Sequence, residues 1–247
     1  MTEEQAGDAP DPLVSVVVVT YNSAGTVGET LSSLSEQTYP DDRYEVVVVD
    51  GGSDDDTERI VGEYDAGFHV VDGGTIGACR NHGVDTADGA YVAFTDSDCA
   101  VPATWLRSLV DRIVDADDHI AGIGGPNRPF PDDPAFAKLV GSLQGTVFGS
   151  GGSPQSHAID RVREVRSVAC CNVLYDAAVF EEYRFESDIN VGEDAEFHFR
   201  LSEAGYRFLF DPRIAVSTTS RPTSGRSAGR PARTATRWRA SSAVTGS

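Results

Sequence analysis

The run Val14-Ser15-Val16-Val17-Val18-Val19 constrains the fold more than any other stretch of the chain. β-Branched side chains favour extended backbone, and a strand without polar alternation has to be covered on both faces. Similar runs recur at Tyr44–Val49 and Ala90–Phe94, with shorter ones at Phe68–Val71 and Ile120–Ile123. Helical patterns separate them: Val27, Leu31 and Leu34; a stretch near Glu58 to Tyr64; Gly77–Val84; and Trp105, Leu109, Ile113, with Pro102 as that helix's first residue. This alternation predicts an α/β fold, an open and mostly parallel sheet flanked by helices on both faces. The second half is less regular. It reads as loops around a helix near Phe136–Val147, a strand pair in Arg163–Asn172, a helix Glu193–Ala204 stopped at Gly205, and a strand Tyr206–Phe210.

Three polar clusters fall at the carboxyl ends of predicted strands: Thr20–Ser23, Asp50–Ser53 and Asp96–Asp98. Ligands bind along that edge in such sheets. Asp96-Ser97-Asp98 is the most suggestive, because alternate residues in an extended turn aim two carboxylates at one hard cation such as Mg²⁺ or Mn²⁺. A solvated acidic loop is the plain alternative. Glycines 73, 74 and 77 lack the G-x-G-x-x-G spacing of a dinucleotide-binding turn, which argues against a dehydrogenase.

The 247 residues carry 39 acidic and 20 basic groups for a net charge of −19, and Lys138 is the single lysine. With 40% hydrophobic residues the chain still has an ordinary core, so disorder is not the expectation. An acidic, lysine-poor surface resembles that of proteins from salt-loving archaea, where salt screens the self-repulsion, and it excludes nonspecific nucleic-acid binding as a partner class. Cys79, Cys99, Cys170 and Cys171 include no C-x-x-C pair and read as reduced, buried small residues. No stretch reaches the roughly 18 apolar residues of a membrane span, and the acidic start lacks a signal-peptide layout. The expected location is cytoplasmic.

T-Y-N-S after the first strand, D-G-G-S-D after the second, then G-A-C-R-N-H-G, T-D-S-D and G-E-D-A-E-F-H-F-R occur in that order. Together they resemble glycosyltransferase family 2, with its GT-A fold, over residues 13–212. The resemblance implies a Rossmann-like nucleotide-binding half at 13–124 and an acceptor half at 125–212. It implies an inverting transfer from a nucleotide sugar, a UDP- or GDP-sugar, to an acceptor hydroxyl. Thr20, Tyr21, Asn22 and Gly77 would border the nucleotide, Asp50 would accept from the base, and Arg80 would approach the base or diphosphate. Asp96 would face the ribose or metal and Asp98 the metal. Glu193 and Asp194 match the catalytic E-D pair, with Asp194 as the base. A saccharide or lipid-linked acceptor would bring the protein to the inner membrane face as a peripheral partner.

Plain alternatives stand beside these roles. Asp50 can cap its own turn, Arg80 can pair with carboxylates, Asp194 can be a first-turn acid favoured by the helix dipole, and His198 reads as a packed histidine. The chain also departs from the family pattern. Gly51 replaces the second acid of D-D-G-S, and Ile214–Ser220 lacks a histidine that members often place there. A catalytically impaired nucleotide-sugar-binding relative is therefore a second reading, and a metal-dependent nucleotidyltransferase a third. Residues 1–12 read as a flexible lead-in. Residues 213–247 read as an atypical basic tail, because no acid follows Asp211 while seven arginines do. A basic arm, a disordered tail, or translation out of frame from near Val216–Ser217 would each give that composition.

Overall fold

The computed structural model describes residues 11–130, 161–189 and 191–218. The helix expected near Phe136–Val147 and the tail beyond Thr218 lie outside these residues. Strands β1 (Val14–Thr20), β2 (Tyr44–Asp50), β3 (Gly67–Val70) and β4 (Tyr91–Asp96) alternate with helices α1 (Val27–Ser35), α2 (Thr57–Val61) and α3 (Ile76–Thr86). After β5 (Cys99–Ala100) come α4 (Trp105–Ile113), β6 (Ile120–Gly124), β7 (Asn127–Pro129) and β8 (Arg163–Val165). The described chain ends with β9 (Val173–Asp176), α5 (Val179–Glu182), α6 (Glu193–Glu203), β10 (Arg207–Phe210) and β11 (Val216–Thr218).

The main sheet has eight strands in the order β3-β2-β1-β4-β9-β6-β10-β8. β1 pairs in parallel with both β2 and β4, and four of its five valines are buried, on both faces, with Val19 partly buried. Val14, Val16 and Val18 enter a core shared with α1, α2 and α4. Val17 enters a second core with α3, α5 and α6. Helix α3 lies close on β1 because residue 83 is glycine; a Cβ there would stand 2.4 Å from Val17 Cγ1.

Several expectations need correction. The strand pair predicted within Arg163–Asn172 does not form. Instead β8 is an antiparallel edge strand on β10, and β9 lies in the middle of the sheet, antiparallel to both β4 and β6. Pro102 precedes helix α4 rather than opening it; its carbonyl accepts from Trp105 N at 2.9 Å and from Gln37 Nε2 at 2.9 Å. The lead-in boundary at 12 is too late, since Asp11 makes a two-pronged ion pair with Arg107 at 2.6 and 2.7 Å. The boundary at 213 is too early. Ile214 and Val216 are buried, and β11 forms a small second sheet with β5 and β7. All four cysteines are free thiols, and Cys171 is only partly buried.

Candidate active site

The carboxyl end of β4 is joined to the start of α6 through Arg80, which contacts both Asp96 and Glu193, and the ends of β1 and β2 lie beside it on the same sheet edge. Two of the polar turns are stitched together. Asp50 Oδ2 accepts from Gly52 N at 2.9 Å and Ser53 N at 2.6 Å, and Ser53 Oγ donates to Asp50 Oδ1 at 2.5 Å. Ser53 Oγ in turn accepts from Asn22 N at 2.7 Å, and Asn22 Oδ1 accepts from Asp54 N at 2.9 Å. Asn22 adopts a left-handed φ of 49° and Gly52 one of 94°, conformations that suit asparagine and glycine. Asp50 thus caps its own turn, as the plain alternative held, and is 2% exposed. Tyr21 projects outward at 64% exposure, whereas Thr20 is buried with its Oγ1 unpartnered. Gly77 is glycine for packing: a Cβ would meet the Glu186 carbonyl oxygen at 2.4 Å.

Asp96 ends β4, and Ser97 and Asp98 form the turn into β5. Ser97 is buried and donates to Ser23 Oγ at 2.8 Å, while Asp96 and Asp98 stay partly exposed. Burial pushes the Asp98 carboxyl above its usual range, partly offset by the Cys99 thiol. Asp96 is pushed up to about 6 by the protein packed around it, with Arg80 pulling down and Asp98, Asp194 and Glu193 pushing up. Arg80 thus faces three carboxylates, Asp96, Glu193 and Asp194, and Asp98 adds a fourth negative charge beside Asp96. Such a surplus of negative charge would repel a diphosphate and favours a divalent cation. Among the described residues no group of three or more His, Cys, Asp or Glu is arranged to hold a metal. An Mg²⁺-type ion is commonly held by one or two carboxylates plus phosphate oxygens and water, so a site built on Asp96 and Asp98 would not need such a group.

Arg80 does not project into the open edge. It is buried and forms an ion pair with Glu193, which is also buried, while its other terminal nitrogen is 3.7 Å from Asp96 Oδ1. Glu193, expected as part of a catalytic pair, is occupied by this contact. Its neighbour Asp194 is partly exposed in the first turn of α6, and its Oδ1 accepts from Ala195 N at 2.7 Å. Gly192 opens the helix at φ 81°.

His198, one turn beyond Asp194, is packed as expected. Its Nε2 is 2.6 Å from Tyr175 OH and its Nδ1 is 3.0 Å from Ser167 Oγ. Burial lowers its pKa from 6.5 to about 4. The native state therefore binds fewer protons than the unfolded chain, and this group's stabilisation is full above pH 6.5 and lost as pH falls toward 4. The loss is expected to reach on the order of 3 kcal/mol. Urea unfolding from pH 7 to 4 checks this: His198→Gln should flatten the profile, and parallel profiles for the two proteins would refute it.

The sequence reading missed Asn172, which is fully buried. Its Oδ1 accepts from Trp105 Nε1 at 2.9 Å, and its Nδ2 donates to Ile214 O at 2.8 Å and Pro126 O at 3.3 Å. It ties α4 to the segment entering β11, whose Thr218 pairs with Cys99 beside Asp98. The one available signal was a lone amide inside the apolar stretch Cys170–Tyr175. The position lacking a histidine is thus adjacent to the acidic triplet; Ile214–Thr218 contains none.

The glycosyl transferase family 2 model matches residues 15–184. Glycosyltransferase AglE of Haloferax volcanii is 27% identical over 217 residues, covering 85% of this chain and 68% of the relative. The poly(ribitol-phosphate) beta-N-acetylglucosaminyltransferase TarS of Staphylococcus aureus is 40% identical over 111 residues, 42% of this chain and 19% of TarS. The crystal structure of TarS residues 1–349 with UDP-GlcNAc superposes with a TM-score of 0.66 at 24% identity, covering 85% of this chain and 59% of that one. The mannosyltransferase PcManGT of Pyrobaculum calidifontis, with GDP-Man and Mn²⁺, gives 0.61 at 23% identity, covering 88% and 61%. The chain therefore spans only part of most of these proteins, and the superpositions establish the GT-A fold. With more than half of its length matched by the family model, the chain belongs to glycosyl transferase family 2.

Proposed function

We propose that the chain transfers a sugar from a nucleotide-sugar donor to an acceptor hydroxyl with inversion, using a divalent metal. The observation that carries this is that Arg80 contacts both Asp96 and Glu193, which brings the partly exposed Asp194 at the start of α6 near the partly exposed Asp96 and Asp98. Single displacement at the anomeric carbon needs a base on the acceptor and charge neutralisation on the departing diphosphate. Asp194 takes the acceptor proton. Asp96 and Asp98 would hold Mg²⁺ or Mn²⁺, which would supply the neutralisation. Tyr21 offers an exposed ring for stacking on the base. UDP- and GDP-sugars are the donors to test, because TarS is seen with UDP-GlcNAc and PcManGT with GDP-Man. A saccharide or lipid-linked acceptor, with peripheral residence at the inner membrane face, belongs to the same proposal. Among the described residues no helix is long and apolar enough to cross a membrane. A salt-rich cytoplasm suits the charge of −19 and the likeness to the Haloferax protein.

The test is nucleoside diphosphate release from a panel of nucleotide sugars with acceptor saccharides, in molar salt, with Mn²⁺ and then with chelator. Chelation is expected to cut donor affinity at least about tenfold, since the carboxylates around Asp96 then face the diphosphate uncompensated. Equal affinity with and without chelator would sink the metal assignment. The absence of histidine from Ile214–Thr218, beside Cys99, favours one competing reading, a donor-binding relative with little turnover. It predicts donor binding without release.

A further inference from the structure

We propose that Arg80 and Glu193 form a positioning pair that holds the Asp194 helix start against the acidic triplet, and that Arg80 does not grip the donor diphosphate. The proposal rests on the transfer reading above. Arg80 is 5% exposed and lies beside the rings of Phe94 on β4 and Phe185, 6.0 and 5.5 Å from their centroids. A guanidinium so buried requires partners that stay in place. It has Glu193 directly and Asp96 at 3.7 Å, while its Nε has none.

The same helix, α3, is tied to the segment leading toward α6. Asn81 Nδ2 donates to Phe185 O at 2.8 Å, Asn81 Oδ1 accepts from Phe185 N at 3.0 Å, and Thr75 Oγ1 donates to Ser187 O at 2.6 Å. Gly77 lets the Glu186 carbonyl pack against α3. α3 therefore acts as a spine between the two halves, and Arg80 is its charged contact with the first turn of α6. Asp194 follows Glu193 directly, so its direction depends on where Glu193 is held. Neutralising Glu193 leaves the buried cation with Asp96 as its remaining carboxylate within 4 Å and frees the helix start.

The pair is tested with Glu193→Gln and Arg80→Lys, each checked for folding by circular dichroism, through donor affinity, kcat, and hydrogen exchange of the amides of residues 194–197. Both variants should lower kcat about 10- to 100-fold through misplacement of Asp194, keep donor Kd within about threefold, and speed exchange at 194–197 about tenfold or more. Glu193→Asp, which restores the carboxylate, should recover part of kcat. A tenfold or greater loss of donor affinity in Arg80→Lys, with Glu193→Gln unaffected, would put Arg80 on the diphosphate and overturn the proposal. Unchanged exchange and kcat in Glu193→Gln would overturn it as well. A wild-type protein that transfers no sugar from any donor would refute the transfer reading, and the exchange measurement would still decide the pair.

Discussion

Asp194→Asn is expected to slow sugar transfer on the order of 10³-fold, the scale of a positioned general base, while leaving donor Kd within about threefold. The substitution is nearly isosteric. Its amide oxygen can still accept from Ala195 N, now at 2.7 Å from the carboxylate, so the helix start is kept and the lost property is the ability to take a proton. Asp194 is also among the charges that push the Asp96 carboxyl upward. Removing it lessens the repulsion of the anionic diphosphate, so donor binding at saturating metal should be equal or slightly tighter, opposite to what a donor-binding residue would show. Glu196 provides the control. It lies in the same helix turn but is committed to Arg200, with contacts of 2.6 and 2.8 Å, and Glu196→Gln should change kcat less than about threefold. Single-turnover kinetics with saturating donor separates the cases. Retention of most of the rate in Asp194→Asn would remove it as the base.

The parallel half of the sheet was legible because its signal was long. Val14–Val19 and Tyr44–Val49 admit few alternatives to strands buried on both faces, and β1, β2 and β4 appear within a residue or two of their expected bounds. β9 was not legible. It is four residues long, and Val173-Leu174-Tyr175 follows Cys170-Cys171-Asn172 without a turn signal. Its place between β4 and β6 is fixed by partners far away in sequence. Short strands with distant partners are where local pattern carries least information.

The site was legible as a set of positions, less so as a set of contacts. The ordered motifs brought Asp96, Asp98, Arg80, Glu193 and Asp194 into one neighbourhood, which the structure also does. What the motifs did not carry is which charge is buried. The motif does not carry the burial of Arg80 beside Phe185 or its pairing with Glu193. Nor does it carry the hydrogen bonds by which both oxygens of Asp50 cap residues 52 and 53. Exposure and partner choice are tertiary properties, and a motif lists residue types without either.

Gly125→Ala should be strongly destabilising, by about 3 kcal/mol or more. A Cβ at this position would stand 1.9 Å from the Ile214 carbonyl oxygen and 2.8 Å from that of Asp211. Both obstacles are backbone, so no rotamer relieves them, and the chain entering β11 must move. That movement pulls Ile214 O from Asn172 Nδ2, now at 2.8 Å, and disturbs the bond from Trp105 Nε1 to the same amide. The consequence reaches the acidic triplet, because β11 pairs with Cys99 and Ala100 immediately after Asp98. Thermal unfolding in molar salt should show a fall in Tm of about 6–12 °C for a chain of this size, together with weaker Mn²⁺-dependent donor binding in the folded protein. Gly28→Ala is the matched control. Gly28 lies in α1, its Cβ would make ordinary contacts of 3.4 Å with Ile60 and 3.6 Å with Tyr64, and helix propensity favours alanine by up to about 1 kcal/mol. Equal stability of the Gly125→Ala protein and the wild type would mean that β11 is not held against the site by this close approach, and that Asn172 is not the bracket its hydrogen bonds describe.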